Sequence, residues 1–299
     1  MEQGRAENAL TALVRQRDLI LVTGKGGVGK STVTAALAEL AVRVRGGAVA
    51  VESSAHPRLT SMVDDSPGLQ LVNIDIEQVL PAVLGRLLRL PQMLNVLLSN
   101  RIIRLFMRTA PAVSELVLLD EVRELVERNA PRCPVIVDLP ATGHALTLLG
   151  TPNAVQRMLR VGPVARMAER LETLFFDRRR CELVVVALPE ELPVNETIEL
   201  VQRAAELGMA CSHVVVNQVP RPPVEDSERA WLEQIRQSAD AELGRIARAA
   251  RSELDGADEA RAQIDRLRRS VDGTVIELPQ HVDLDARRQV DGLVQALAT

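Results

Sequence analysis

A short apolar run, Leu19-Ile20-Leu21-Val22, leads directly into Gly24-Lys25-Gly26-Gly27-Val28-Gly29-Lys30-Ser31, and a helical pattern follows from Ala35 to Val44. Few folds accommodate that order. The run suits a strand buried on both faces of a parallel sheet, and the octet fits the pattern G-x-x-x-x-G-K-[ST]. A helix opening behind a glycine-rich turn presents unpaired N–H groups and the positive end of its dipole to an anion. The glycines Gly24, Gly26, Gly27 and Gly29 admit backbone conformations closed to other residues and keep side chains out of the path of phosphates. In such a loop Lys30 can reach β- and γ-phosphates, and the Ser31 hydroxyl can ligate Mg²⁺. Val28 and Thr32 complete the candidate nucleotide-contacting set. Both lysines of the chain, Lys25 and Lys30, lie here, whereas the other 34 of its 36 basic residues are arginine. Arginine is a planar fork and lysine a compact point charge, so the two do not exchange inside a tight oxygen cage.

Further apolar runs of strand length occur at Ala48–Val51, Leu69–Ile74, Val135–Val137, Leu183–Leu188, His213–Val216 and Val275–Leu278. Helical patterns separate most of them, which predicts an α/β, doubly wound, mostly parallel sheet. We expect one domain over 1–299 with a helical insertion at about 76–130 and a further helical segment at about 225–270. In the insertion, Val79, Leu80, Val83, Leu84, Leu87 and Leu88 form one apolar stripe. Pro91 and Pro111 divide the rest into two further helices, and Leu94 to Met107 is apolar on nearly every face. A helix of that kind is buried or binds something. It is either a core or dimer contact, or a groove for a hydrophobic client or partner helix. In the second segment Trp231, Ile235, Leu243, Ile246 and Leu254 keep rough helical spacing, as expected of a solvated helical pair packed on the sheet.

Composition narrows the function classes. A net charge of −4 and a pI near 5.7 give no basic field for nucleic acid. With no Tyr, three Phe and one Trp, base-stacking surfaces are not expected either. Cys133, Cys181 and Cys211 are far apart and sit in or beside apolar runs, so they read as small buried hydrophobes in a reducing cytoplasm. Met1 to Asp18 is charged throughout and lacks the apolar core of a signal peptide. No stretch reaches the ~18–20 apolar residues that span a bilayer, and we expect a cytoplasmic protein.

The strand Val135-Ile136-Val137 ends in Asp138, a carboxylate able to hold Mg²⁺ directly or through water. The segment after it, Leu139-Pro140-Ala141-Thr142-Gly143-His144, resembles the D-T-A-P-T-G-H switch of the arsenite-pump and tail-anchored-protein-targeting ATPases. Leu188-Pro189-Glu190-Glu191-Leu192 with Glu196-Thr197 is similar to that family's P-E-x-x-x-x-x-E-T element, and Val215-Val216-Asn217-Gln218 to its V-V-N-Q element. The early lysine of the loop, Lys25, matches the deviant form that this family shares with septum-site, plasmid-partition and nitrogenase-iron-protein ATPases. The resemblance covers nearly the whole chain. It implies ATP as the nucleotide, with Asn217 touching adenine, Mg²⁺ at Ser31 and Asp138, and catalysis through Lys25, Lys30 and Asp138. It further implies a face-to-face dimer in which Lys25 contacts the nucleotide of the other subunit.

Three departures qualify that expectation. The family's switch-one segment reads D-P-A-H, and its aspartate positions the attacking water; Ser53-Ser54-Ala55-His56 stands there in this chain. A serine is neutral at pH 7 and is no carboxylate base. Glu52 is adjacent, but neighbouring side chains of an extended segment point in opposite directions. The zinc-binding C-x-x-C of the eukaryotic targeting factor is missing after Asn217, and no cysteine cluster matches the arsenite site of the pump. The expected protein is therefore a nucleotide-gated dimeric ATPase with weak or absent hydrolysis that binds a hydrophobic client or partner. The alternative is a catalytically impaired regulatory or scaffold subunit, paired with an active paralogue. Oxyanion pumping and a partition-type role on DNA or membranes fit the residues less well.

Overall fold

The computed structural model describes residues 3–63, 66–88, 111–236, 241–280 and 285–298. The expected apolar segment from Leu94 to Met107, with Pro91, lies outside these residues. Seven strands form one sheet in the order β3-β2-β4-β1-β5-β6-β7, and every pairing is parallel. They are β1 (Leu19–Gly24), β2 (Ala48–Glu52), β3 (Leu69–Asn73), β4 (Val135–Asp138), β5 (Cys181–Ala187), β6 (His213–Val219) and β7 (Thr274–Pro279). Each coincides with one of the seven apolar runs.

Continuous apolar runs are what a doubly covered sheet requires, because alternate side chains enter opposite cores. In β1, Leu19 and Leu21 pack into one core while Ile20 and Val22 pack into the other. Val135 and Val137 of β4 follow the first pair and Ile136 the second. Helices α1 (Gln3–Gln16), α2 (Lys30–Arg45) and α11 (Ala286–Ala298) cover one face through Leu13, Leu37 and Leu293. The other face is covered by α5 (Pro111–Asn129), α6 (Thr142–Met158), α7 (Pro163–Phe175) and α8 (Glu191–Glu206), through Leu119, Leu149, Leu171 and Leu200. This is a doubly wound α/β fold. The chain moves from β1 outward to β2 and β3, returns through β4, and crosses to β5 on the far side of β1. Strand order therefore reverses around β1, and ligands of such sheets bind outside the carboxyl ends of the strands at that reversal.

Helix α4 (Ile76–Leu88) carries the apolar stripe, with Val83 buried and Val79 and Leu80 packed against the core. It is fastened to α5 by Arg86, whose guanidinium lies 3.1 Å from Asp120 and 3.0 Å from Glu121. Asp120 is also paired with Arg123 at 2.9 Å, both nearly buried. Helices α9 (Arg229–Arg236) and α10 (Ala241–Ser270) pack on each other, and Ile264 and Leu267 of α10 pack on Val214 and Val216 of β6. Their mutual seam differs from the expected one. Leu232, Ala247 and Leu254 meet, while Trp231, Leu243 and Ile246 face solvent. Rough spacing across two helices does not fix the rotation of either one; the α9–α10 contact does.

Burial raises the Cys181 thiol far above its ordinary range and pushes Cys211 up to about 12. Neither carries thiolate character near neutral pH.

Candidate functional site

The loop between β1 and α2 sits at the strand-order reversal, and two glycines are fixed there by close approach. A Cβ on Gly24 would lie 2.2 Å from the Val186 carbonyl oxygen of β5. A Cβ on Gly29, whose φ is +90°, would lie 2.3 Å from the amide nitrogen of Asn217. Helix α2 begins at Lys30, one turn earlier than its apolar pattern suggests, because Ser31 and Thr32 are helical without being apolar. Gly29 caps it with no side-chain hydrogen bond, so the first-turn N–H groups stay open toward the loop.

Lys30 Nζ donates to the Lys25 carbonyl oxygen at 3.1 Å, curling the loop around its own ammonium group. Ser31 Oγ donates to Asp138 Oδ2 at 2.5 Å. The other carboxylate oxygen, Asp138 Oδ1, is buried with no hydrogen-bond partner. A buried carboxylate oxygen without a donor is costly and is a fitting ligand for a hard cation. Among the described residues no three His, Cys, Asp or Glu side chains cluster. The oxygen donors Ser31 and Asp138 suit Mg²⁺, which is held by few protein ligands. When bound, such an ion would be held by Ser31 and Asp138 and would neutralise phosphate charge.

The electrostatics point the same way. Burial lowers the Lys30 pKa, Asp138 opposes that shift, and the charge of Arg58 adds to it. Asp138 is raised by burial and by Glu52, against the Ser31 hydrogen bond and the charges of Lys30 and Arg58. A lysine and a carboxylate both desolvated at the mouth of a glycine loop form an environment that a charged ligand relieves. Two ties fix the segment after β4: Leu139 N donates to the Val22 carbonyl at 2.9 Å and Thr23 Oγ1 to that of Pro140 at 3.1 Å.

The segment after β2 has no free carboxylate. Ser53 Oγ donates to the Ile74 carbonyl at 2.9 Å. Glu52 is buried, and its two oxygens accept the backbone N–H groups of Arg58 at 2.8 Å and Leu59 at 3.2 Å. These fasten the start of helix α3 (Leu59–Met62). Glu52 thus holds in place the backbone at the start of α3.

On the other side of the loop, Asn217 is buried and donates from Nδ2 to the Val28 carbonyl at 3.0 Å. The β6–β7 register shifts between Val216 and Val219, and Gln218 takes a φ of +58°. A bulge of this kind re-aims side chains at the end of a strand. Asn217 and Gln218 line a cavity of about 150 Å³ with Thr32, Pro279, Gln280 and Gln289. Of these, Thr32, Asn217 and Gln218 stood out in the sequence; Pro279, Gln280 and Gln289 come from the end of β7 and from α11 and carry no local signal.

Lys25 Nζ lies 2.8 Å from Glu196 Oε1 on α8, in the same chain. The structure thus brings Gly24, Gly26, Gly27, Val28, Gly29, Lys30, Ser31, Thr32, Asp138 and Asn217 to one site, with Lys25 turned to an internal partner. Sequence reasoning missed Glu196 as that partner.

A glycine-rich loop at the reversal point of a parallel sheet, facing a strand-end aspartate, lies where sheets of this kind bind their ligands. The profile of the anion-transporting ATPase family matches residues 17–168, half of the chain, and the chain belongs to that family. It is 27% identical over 219 residues to the ATPase BagA of Mycobacterium tuberculosis, a match covering 67% of this chain and 64% of BagA. The chain therefore spans a little under two thirds of that relative's length. It is 25% identical over 292 residues to the ATPase GET3 of Chaetomium globosum, covering 78% of this chain and 86% of GET3. With the ATPase ASNA1 homolog 1 of Paramecium tetraurelia it shares 24% over 267 residues, 74% and 81% of the two chains. Among the described residues no helix is long and apolar enough to cross a membrane.

Proposed function

We propose that this chain binds Mg²⁺–ATP at the β1–α2 loop and that binding gates a face-to-face dimer, in which two subunits close on each other's nucleotide. The observation carrying the nucleotide reading is the trio at the open N-terminus of α2. There, desolvated Lys30 and the Ser31 hydroxyl face a strand-end Asp138 whose second oxygen has no partner. ATP over other nucleotides is supported by Asn217 and the cavity beside it. The gating reading rests on Lys25, whose pair with Glu196 is about two-fifths exposed on each side. Exposed pairs of this kind contribute ~0–1 kcal/mol, so a triphosphate offered by a second subunit competes with it easily. The helical insertion around 76–130 would capture a hydrophobic client or partner once the dimer closes, in the cytoplasm.

Hydrolysis by the chain alone would be weak or absent. Ser53 is tied to Ile74, and both oxygens of Glu52 are engaged by backbone, so no carboxylate in the switch-one segment is free to position water. This also favours a second reading, a catalytically impaired subunit paired with a paralogue that keeps the aspartate. ATP turnover of the purified chain, alone and mixed with such a paralogue, separates the two. Slow turnover alone, raised by Ser53→Asp, supports the first. Fast turnover only in the mixture supports the second, and fast turnover by the unmodified chain alone contradicts both.

A further inference from the structure

We propose that Arg58 is a third cation of the nucleotide site, contacting the terminal phosphate and making the site prefer a nucleoside triphosphate to a diphosphate. This rests on the nucleotide reading above and adds a specificity residue that the loop motif does not contain.

The placement follows from a chain of contacts. Glu52 and Asp138 are register partners at the carboxyl ends of β2 and β4, about 5 Å apart as neighbouring strands are. Asp138 holds Ser31, the residue after the loop lysine. Glu52 holds the backbone N–H of Arg58 at 2.8 Å and that of Leu59 at 3.2 Å. The backbone of Arg58 is thus anchored one side chain away from the strand ends that flank the loop. A guanidinium on its long stem reaches the region beyond Ser31 and Asp138 from there, where a terminal phosphate and its Mg²⁺ would sit.

The charge balance supports the same assignment. The Arg58 side chain is exposed, and among the described residues no carboxylate pairs with it. Its field reaches both Lys30 and Asp138. Toward Lys30 that field is repulsive, so the free protein holds two like charges near one strand end, with the Asp138 carboxylate acting on both. Such an arrangement is relieved by a polyanion, and a guanidinium binds phosphate oxygens bidentately. The switch-one segment has moreover lost a negative charge at Ser53 relative to the D-P-A-H pattern. Segments in this position respond to the terminal phosphate in other nucleotide switches, and here the responding group would be a cation, suited to sensing the triphosphate rather than to activating water.

The test is isothermal titration of the wild type, Arg58→Ala and Arg58→Lys with a non-hydrolysable Mg²⁺–ATP analogue and with Mg²⁺–ADP. Far-UV circular dichroism of each variant checks that the exposed substitution leaves the fold intact; Arg58→Gln replaces any variant that fails. The alanine variant should lose roughly tenfold or more in affinity for the triphosphate and less than about twofold for ADP. The lysine variant should fall between. Equal losses for both nucleotides, or no loss for either, would overturn the assignment to the terminal phosphate while leaving the loop as the nucleotide site. A wild type that binds neither nucleotide would overturn the nucleotide reading and this inference together.

Discussion

Replacing Glu182 by glutamine should destabilise the protein by about 3–5 kcal/mol, the cost of breaking a buried charged network on one side. Glu182 is fully buried at the start of β5 and gathers donors from three residues. Arg17 Nε lies 3.1 Å away, Ser212 N 3.2 Å and Ser212 Oγ 2.6 Å, with His213 Nδ1 also in contact. A carboxylate accepts only, whereas an amide turns an NH₂ toward groups that themselves donate. One charge-assisted bond, about 1.5–3 kcal/mol, is lost, and one donor left orphaned costs about 1–3 kcal/mol more. With a urea dependence of about 3 kcal/mol/M, the unfolding midpoint should fall by about 1–1.7 M at unchanged slope. The pH dependence has a defined sign. Burial alone would raise the Glu182 carboxyl, but the His213 and Ser212 hydrogen bonds and the charges of His213 and Arg17 hold it below the ordinary carboxylate range. A depressed acid contributes stability that is complete above its unfolded value and lost as pH falls through its folded one. The gap between wild type and variant should therefore narrow in acid. Urea titrations followed by circular dichroism measure both. A midpoint shift below about 0.3 M, or a gap that widens in acid, would refute the reasoning.

Asp138→Asn should raise the thermal midpoint of the free protein, because burial has raised the Asp138 pKa and its charge is held at a cost at neutral pH. That penalty vanishes as pH falls below the carboxylate range, so the two proteins should converge in acid; calorimetry across pH follows it, and the variant should lose Mg²⁺-dependent nucleotide binding. Gly29→Ala should weaken nucleotide binding at least about tenfold, since its Cβ would meet the buried Asn217 amide at 2.3 Å and break the bond to Val28; fluorescence of a labelled ATP analogue reports it. Arg86→Ala should speed amide exchange in α4 while leaving the sheet protected, because it removes the pairs to Asp120 and Glu121 that fasten α4 to α5.

Much of the fold was legible in the chain because a sheet covered on both faces demands uninterrupted apolar strands, and each of the seven runs shows one. The helix behind the loop was legible in kind but not in extent. Its first turn, Lys30-Ser31-Thr32, is polar because it faces the site rather than a core. The loop and Asp138 could be read locally, since their chemistry lies in consecutive residues at a strand end. The pair between Lys25 and Glu196 could not, as 171 positions separate the two and no periodicity links them. Glu52 lay in view, but its role as the anchor of the Arg58–Leu59 backbone depends on how the chain turns after β2. Arg58 was indistinguishable from the other arginines until that turn placed it. The seam of α9 and α10 depends on which faces of two helices meet, and spacing within each helix does not set that choice.

The central claim, that the β1–α2 loop is a Mg²⁺-dependent ATP site, is tested most directly by isothermal titration of ATP into the wild type and Lys30→Ala, with and without Mg²⁺. The ammonium group facing the loop is removed in the variant while the helix and sheet are untouched. Saturable one-site binding by the wild type that strengthens with Mg²⁺ and disappears in the variant is the predicted result. Equal affinity in the two proteins, or no dependence on Mg²⁺, would contradict it.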